Sequence, residues 1–351
     1  KFIKQIFDNN LTNNYYVLTP DYEKYNCFSK KNLIFVDVEN IYKNNIFFLL
    51  LYFFKYPQLL RDLKIDLVFN FGDVIIPTNI SQIYFFDWAY AVYDSKNIWR
   101  NMDFKNYIIR KMKVFLISRY IKKVELIFVQ TKNIRDRLKS KFQTDKIELV
   151  PTPIGLDLSA KKHDFLFNLP KNNVLFLYPA SYSAHKNFNI ILEVGKLIKF
   201  ANLPFIIILT LNPQKATNFI KEIQFNNLQS IFNIGPTKLN DMPNLYRQCD
   251  ALLFPSLLES YGLPLVEAMA LKKPILTSDL DFAHSLCNDV AFYFDPMNAN
   301  SILDVMKSFS ENKLVLNDKI KAGSVLAKSV PDWSEVFIKF EKKINLILKK
   351  Y

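Results

Sequence analysis

Glycine is scarce, with six in 351 residues, and no two of them stand in the G-x-G-x-x-G spacing. That removes the nucleotide fingerprint of a Rossmann dehydrogenase. Cysteine is scarcer still: Cys27, Cys249 and Cys287 are odd in number and lack C-x-x-C spacing, which excludes a disulfide framework and a cysteine-based zinc site and points to a reducing compartment. The three histidines, His163, His185 and His284, form no H-E-x-x-H pattern, so no zinc site is expected. Long apolar runs are missing as well. The greasiest stretch, IFFLLLYFF at 46–54, ends at Lys55 and Pro57 and is about half of the ~20 residues a membrane-crossing helix needs. No basic-then-apolar leader opens the sequence, so a cytoplasmic location is expected.

What is present is a globular composition: 50% apolar, 15% aromatic and 23% charged residues, enough for two cores at roughly 150 residues per domain. Acidic residues fall short of basic ones, 33 against 46, a net charge of +13. Such a field attracts nucleic acid, an anionic membrane face or a phosphorylated small molecule alike. No zinc finger, RNP strand or basic zipper pattern selects nucleic acid. The densest clusters, 110–113, 119–123 and 135–141, alternate Lys and Arg with aromatic and aliphatic residues. They read either as an interfacial face for anionic lipid or as ordinary solvated helix faces.

From Asn173 onward apolar runs alternate with helical stretches: strands at 174–178, 205–211, 230–234, 251–254 and 275–277, and helices at 187–199, 239–248 and from Pro264. Unbroken apolar strands separated by helices predict a doubly wound parallel sheet. The first half is less regular, with short strands at 15–18, 33–36, 66–69, 82–86 and 126–129, and reads as a second α/β domain. Residues 150–173, with PTPIGLD, KKHD and the Leu169-Pro170 pair, are the candidate hinge. Near the end, 332–349 is helical, with Val336, Phe337, Phe340, Ile344 and Leu348 on one face that must be buried.

The chemistry concentrates in FPSLLESYGLPLVEA at 254–268. A strand ends, a loop carries Glu259 and Gly262, and Pro264 opens a helix expected to hold Glu267 in its first turn. Gly262 allows close backbone approach, and the free N–H groups and positive dipole of the helix start suit an anion such as a phosphate. Carboxylates are acceptor-only, so Glu259 and Glu267 suit the hydroxyls of a sugar and a ribose beside that anion.

Here the sequence resembles the retaining glycosyltransferases of family 4. The resemblance rests on Glu259 and Glu267 as an E-x7-E pair in ESYGLPLVE, on GPTKLNDMPNLYRQCDALLFPS before it, and on KKPILTSD and AFYFDP after it. It implies the GT-B fold: two facing Rossmann-like domains with parallel sheets, an acceptor domain over 1–155 and a donor domain over 156–330, and a helix at 331–351 crossing back to the first. It also implies that Glu259 contacts the donor sugar and Glu267 the ribose, and that backbone N–H groups of Gly262 and Leu263 contact the diphosphate. Ser260, Tyr261, Ser181 and Gly235 join the donor-binding positions. In FLYPASYSAHKN, Lys186 matches the family's diphosphate lysine, but Ala180 and Ser181 stand where a Gly-Arg pair is usual. In QIYFFDWAY, Asp87 matches the Asp of a His-Asp pair whose His is replaced by Phe86; it either orients hydroxyls or caps the next element. Asp94 and Trp99 are weaker candidates for the acceptor cleft, with Trp99 better read as core. The chain opens with KFIKQIF, which resembles the helix following the family's first strand and Gly-rich turn, so a trimmed start is expected.

The implied activity is transfer of a sugar from a nucleoside-diphosphate donor to a hydroxyl of a glycan or lipid-linked glycan, with retention, for surface polysaccharide assembly. No cofactor and no metal are expected: Asp279-Leu280-Asp281 reads as a turn, not as a metal-binding D-x-D. A non-catalytic partner subunit, and an epimerase or phosphorylase on the same scaffold, remain alternatives. Lys186, Glu259 and Glu267 together oppose the first, and a donor incubated alone separates the others.

Overall fold

The computed structural model describes residues 2–9, 12–19, 25, 27–28, 30–38, 51–94, 98–99, 102, 104–160, 172–311 and 313–350. Residues 46–50 of the apolar run, the KKHD stretch with His163, and the Leu169-Pro170 pair of the expected hinge lie outside these.

The first domain opens with helix α1 (Phe2–Asp8) and the strands β1 (Tyr15–Thr19) and β2 (Leu33–Asp37). Helix α2 (Tyr56–Asp62) follows, then β3 (Leu67–Asn70), β4 (Ser81–Phe85), α3 (Phe104–Tyr120), β5 (Leu126–Val129), α4 (Lys132–Phe142) and β6 (Ile147–Leu149). All strand pairs are parallel, but they form two sheets, β1-β2 and β3-β4-β5-β6. These are the sheets among the described residues, and Phe2 of α1 packs against Phe69 and Phe71 at ring-centroid separations of 5.6 and 5.3 Å.

The second domain carries β7 (Val174–Tyr178), β8 (Phe205–Leu209), β9 (Ile231–Asn233), β10 (Ala251–Phe254), β11 (Ile275–Ser278) and β12 (Phe292–Phe294). Its helices are α5 (Phe188–Phe200), α6 (Thr217–Phe225), α7 (Met242–Gln248), α8 (Leu263–Ala270), α9 (Asp281–Cys287), α10 (Ala299–Glu311) and α11 (Lys313–Lys328). The six strands are parallel in the order β12-β11-β10-β7-β8-β9. All residues of β8 and β10 are buried, because helices cover both faces, which is why these strands read as unbroken apolar runs. The chain runs outward from β7 in both directions, so the strand order reverses between β7 and β10. In open parallel sheets that reversal leaves a crevice at the carboxyl ends of the two strands.

Helix α12 (Trp333–Leu348) returns to the first domain. Asp332 accepts the Glu335 N–H at 2.8 Å while the Glu335 carboxylate accepts the Asp332 N–H at 2.9 Å, a capping box that fixes the helix start. Val336, Phe340, Ile344 and Ile347 pack with Ile83 and Phe128 of the four-stranded sheet and with Val150 just after β6, and Phe337 with Ile6 and Leu33. The Phe340 ring lies 4.7 Å from Phe128 and 5.0 Å from Phe69. Ile347 is the buried residue of the last turn, with Leu348 at the margin of the cluster. Trp333 is only partly buried.

Candidate functional site

Two loops meet at the reversal point. After β7 a short 3-10 turn (Ala184–Lys186) leads to Asn187, whose left-handed backbone (φ 55°) turns the chain into α5. After β10 the loop from Pro255 ends at Gly262 (φ +91°), which opens α8. The positive φ explains the glycine, and an added Cβ would also meet Leu265 at 3.1 Å. The loops are stitched together from both sides: Asn187 Nδ2 donates to the carbonyls of Pro255 at 3.3 Å and Pro296 at 2.7 Å, and Leu257 N–H donates to the His185 carbonyl at 2.7 Å. The Lys186 ammonium forms an ion pair with Glu259 Oε1, and Ser256 Oγ donates to the same oxygen at 2.6 Å. Both charged side chains are nearly buried, with 13% and 12% of their surface exposed.

Glu267 is the fifth residue of α8, one residue further along than its expected place at the end of the first turn, because helical geometry begins at Leu263 and Pro264 is the second residue. It is buried. Tyr246 Oη donates to its Oε2 at 2.9 Å, whereas Oε1 has no protein donor among the described residues. Burial raises its pKa, and the Tyr246 hydrogen bond partly offsets the rise. Tyr261, next to Gly262, is buried, its phenol pushed up to about 12 by desolvation. Leu263 packs at the edge of the second-domain core. The Ser260 carbonyl accepts a hydrogen bond from Thr131 of the first domain at 3.3 Å. Gly235 sits in the loop after β9 with φ +83° and open space where a side chain would be, and Ser181 is exposed in the loop after β7.

The first domain closes over this pair of loops. Leu257 and Leu258, directly before Glu259, insert into the first-domain core cluster that contains Phe86, Tyr90 and Trp99. Tyr90 Oη lies 3.1 Å from His185 Nδ1, and the Arg110 guanidinium lies 4.0 Å from the centre of the Tyr90 ring. His185 is accordingly held neutral, its pKa lowered to about 3 by burial first and by Lys186 and Arg110 next. Asp87 keeps solvent contact at its strand end, yet the surrounding protein and the nearby Asp73 raise its pKa to about 6.

The basic clusters divide. Arg110 faces the cleft, Lys111 lies 4.3 Å from the Trp99 ring, and Lys113 pairs with Asp73 at 2.5 Å. The 110–113 stretch thus spends its charge largely on aromatic and acidic neighbours, because three of its residues lie where α3 meets the first-domain core. The outward face of α3 is instead apolar: Phe104, Ile108, Met112 and Phe115, with Phe104 80% exposed. Lys105, Arg119, Lys122 and Lys123 flank it in sequence, all exposed.

Trp99 is buried and donates Nε1–H to the Tyr93 carbonyl at 3.0 Å, and Asp94 pairs with Lys141 at 2.7 Å, so neither lines the cleft. In Asp279-Leu280-Asp281, Asp279 pairs with His284 at 2.6 Å. Asp281 accepts from Tyr93 Oη at 2.8 Å and from Arg137 at 2.7–2.8 Å, a further tie between domains. Tyr90, Arg110, Ser256 and Tyr246 were not singled out as site residues on sequence grounds. For Ser256 the available signal was its position three residues before Glu259, at the strand end.

Residues 159–324 match the family described as Glycosyl transferases group 1; the second domain is a domain of that kind, with the GT-B type of fold. The chain is 24% identical over 213 residues to the O-antigen chain mannosyltransferase RfbU of Salmonella typhimurium, an alignment covering 56% of this chain and 54% of that one. The chain thus spans about half the length of the curated relatives it matches. Among solved structures, a glycosyltransferase from Rickettsia africae superposes with a TM-score of 0.72 at 15% identity, covering 100% of this chain and 94% of that one. Anabaena Alr3699/HepE in complex with UDP-glucose gives 0.69 at 13% identity, covering 98% and 94%. These likenesses establish the two-domain α/β fold.

The neutral His185 makes a measurable pH signature. The fold refuses a proton that the unfolded chain accepts near its ordinary value of about 6.5, so this contribution to stability is complete above that pH and is lost as pH falls toward about 3. The loss amounts to at most about 1.4 kcal/mol per pH unit for one proton. Urea unfolding between pH 6.5 and 4 should show a shallower acid loss in His185→Gln than in the wild type. A His185 ring resonance titrating near 6.5 in the folded protein would contradict the burial.

Proposed function

We propose that this protein is a retaining glycosyltransferase of the family 4 type, moving a sugar from a nucleoside-diphosphate donor on the second domain to a hydroxyl of a glycan or lipid-linked glycan held by the first. The observation that carries the reading is the constellation at the β7/β10 crevice: a lysine, two acceptor-only carboxylates and the open N-terminus of α8 converge where a parallel sheet offers a ligand site.

In this reading the diphosphate lies against the Gly262 and Leu263 N–H groups at the start of α8, since Pro264 has no N–H and that of Leu265 donates to the Gly262 carbonyl, and it draws Lys186 from Glu259. The released Glu259 accepts from sugar hydroxyls. Glu267 accepts a ribose hydroxyl through Oε1, the oxygen that Tyr246 leaves open. The bond from the anomeric carbon to the diphosphate breaks while the acceptor oxygen bonds the same face, and the acceptor proton passes to the departing phosphate oxygen. The protein contributes orientation and stabilisation of the leaving charge by Lys186 and the helix end, with no divalent metal in that role. Asp87, at the end of the first-domain strand β4, orients hydroxyls on the acceptor side. RfbU, an O-antigen chain mannosyltransferase, supports a surface-polysaccharide acceptor.

The two glutamates separate experimentally. A ribose contact exists in ground state and transition state alike, so Glu267→Ala should weaken UDP or GDP binding by about 1.5 to 3 kcal/mol. Glu259→Ala removes the competing partner of Lys186, so it should not weaken that affinity, and it should lower turnover more than donor binding. Calorimetry beside turnover assays, with excess EDTA throughout, decides the matter. Equal loss of nucleotide affinity in both variants, or normal turnover in Glu259→Ala, would sink these roles.

For a lipid-linked acceptor, the apolar face of α3 with its basic flanks suits an anionic membrane surface, where each basic residue adds about 1 kcal/mol. The protein should sediment with anionic vesicles at low ionic strength, be released by salt, and bind less after Phe104→Ser with Phe115→Ser. Failure of the wild type to bind at low salt removes the membrane from the account.

A further inference from the structure

Between α3 and the loop after β7 lies a cavity of about 380 Å³, lined by Met102, Asn106 and Arg110 of the first domain and by Tyr182, Ser183, Ala184 and 187–189 of the second. Its charge is unbalanced. No carboxylate is paired with Arg110 among the described residues, and its Nε–H is buried without a hydrogen-bond acceptor. The guanidinium is held in orientation by the Tyr90 face below it, so the protein itself orders this long side chain. Opposite it, the cavity reaches the first turn of the 13-residue helix α5, whose leading N–H groups have no acceptor within the helix. A guanidinium cannot lose its proton, and a buried N–H without an acceptor is costly. A phosphate or a carboxylate matches both the charge and the planar fork, and the phosphorylated substrates of the glycosyltransferase reading make phosphate the partner at hand.

We propose that Arg110 binds a phosphate group in this interdomain cavity, so that a cation from the first domain serves a site beside the second-domain loop that carries Lys186. This rests on the glycosyltransferase reading for the source of the phosphate, which is either the donor diphosphate or a phosphate on the acceptor lipid. Phosphate binding across the cavity joins the two domains, since Arg110 and the α5 turn stand on opposite sides. The same residue faces His185, the immediate neighbour of Lys186, so the cavity adjoins the loop that carries the ion pair.

Calorimetry on wild type, Arg110→Gln and Arg110→Lys tests this with four probes: UDP, GDP, the corresponding free nucleosides, and dodecyl phosphate with dodecyl maltoside as its uncharged control. If the donor supplies the phosphate, Arg110→Gln weakens UDP or GDP about tenfold or more, the range for a charge-assisted hydrogen bond, and leaves the nucleosides unchanged. If the acceptor supplies it, nucleotide affinity is retained and dodecyl phosphate binding is lost while dodecyl maltoside is unaffected. Arg110→Lys keeps the charge without the fork and should bind several-fold more weakly than wild type; it decides the question if the Gln variant does not fold. Wild-type affinity for both phosphate probes in the variants overturns the proposal. A wild type that binds dodecyl phosphate through Arg110 but no nucleoside diphosphate leaves the phosphate site standing and removes the glycosyltransferase reading; a wild type that binds neither removes both.

Discussion

The ion pair between Lys186 and Glu259 is the contact on which the geometry of the cleft depends. It joins the ends of two loops that leave neighbouring strands on either side of the strand-order reversal, at a place where both side chains are nearly withdrawn from water. Burying either charge alone would cost several kcal/mol, and breaking such a pair typically costs about 3–5 kcal/mol because one charge is left unanswered. Ser256 shares the load through its hydroxyl on Glu259, and Asn187 ties the loop after β7 to the carbonyls of Pro255 and Pro296. These contacts hold the Lys186 ammonium and the Glu259 carboxylate in fixed positions, so under the proposed function a diphosphate would exchange for one anionic partner of Lys186 and would not have to order its side chain.

The same loop determines how the domains meet. Leu257 and Leu258 are chain neighbours of Glu259 yet pack in the first-domain core, so the position of that carboxylate is referred to both domains at once. Polar contacts repeat the link: Thr131 to the Ser260 carbonyl, Tyr90 to His185, and Arg137 with Tyr93 to Asp281. Helix α12 adds an apolar tie away from the cleft, laying Val336, Phe340, Ile344 and Ile347 against the four-stranded sheet. Surface ion pairs contribute little each, so the two leucines and the α12 stripe supply most of the cohesion, and the polar contacts fix the register.

The second domain was largely legible from sequence because its physics is local. Strands buried on both faces must be unbroken apolar runs, as in FIIIL at β8, and the glycine at 262 is demanded by a positive φ that few other residues accept. The helices α6, α9, α10 and α11 and the edge strand β12 were not anticipated. In the first domain strand positions were readable, but β6, with the sequence IEL, is only partly buried and gave no apolar run. The grouping of the described strands into sheets depends on pairing between distant segments, which periodicity does not encode. The carboxylates and Lys186 were found because they stand in a recognisable spacing. Arg110 was visible only as one of a basic cluster, and its direction is set by the helical phase of α3 against Tyr90, a tertiary fact. Glu267 lies one residue deeper in α8 than Pro264 implies, because Leu263, not the proline, is the first helical residue.

The central claim is that a nucleoside diphosphate occupies the crevice between β7 and β10, and a crystal structure with UDP or GDP bound tests it most directly. The account predicts the diphosphate against the Leu263 end of α8 and within hydrogen-bond reach of the Lys186 ammonium, with a ribose hydroxyl on Glu267. A nucleotide held elsewhere, at Asp279 and Asp281 for instance, with the Lys186–Glu259 pair untouched, would contradict it.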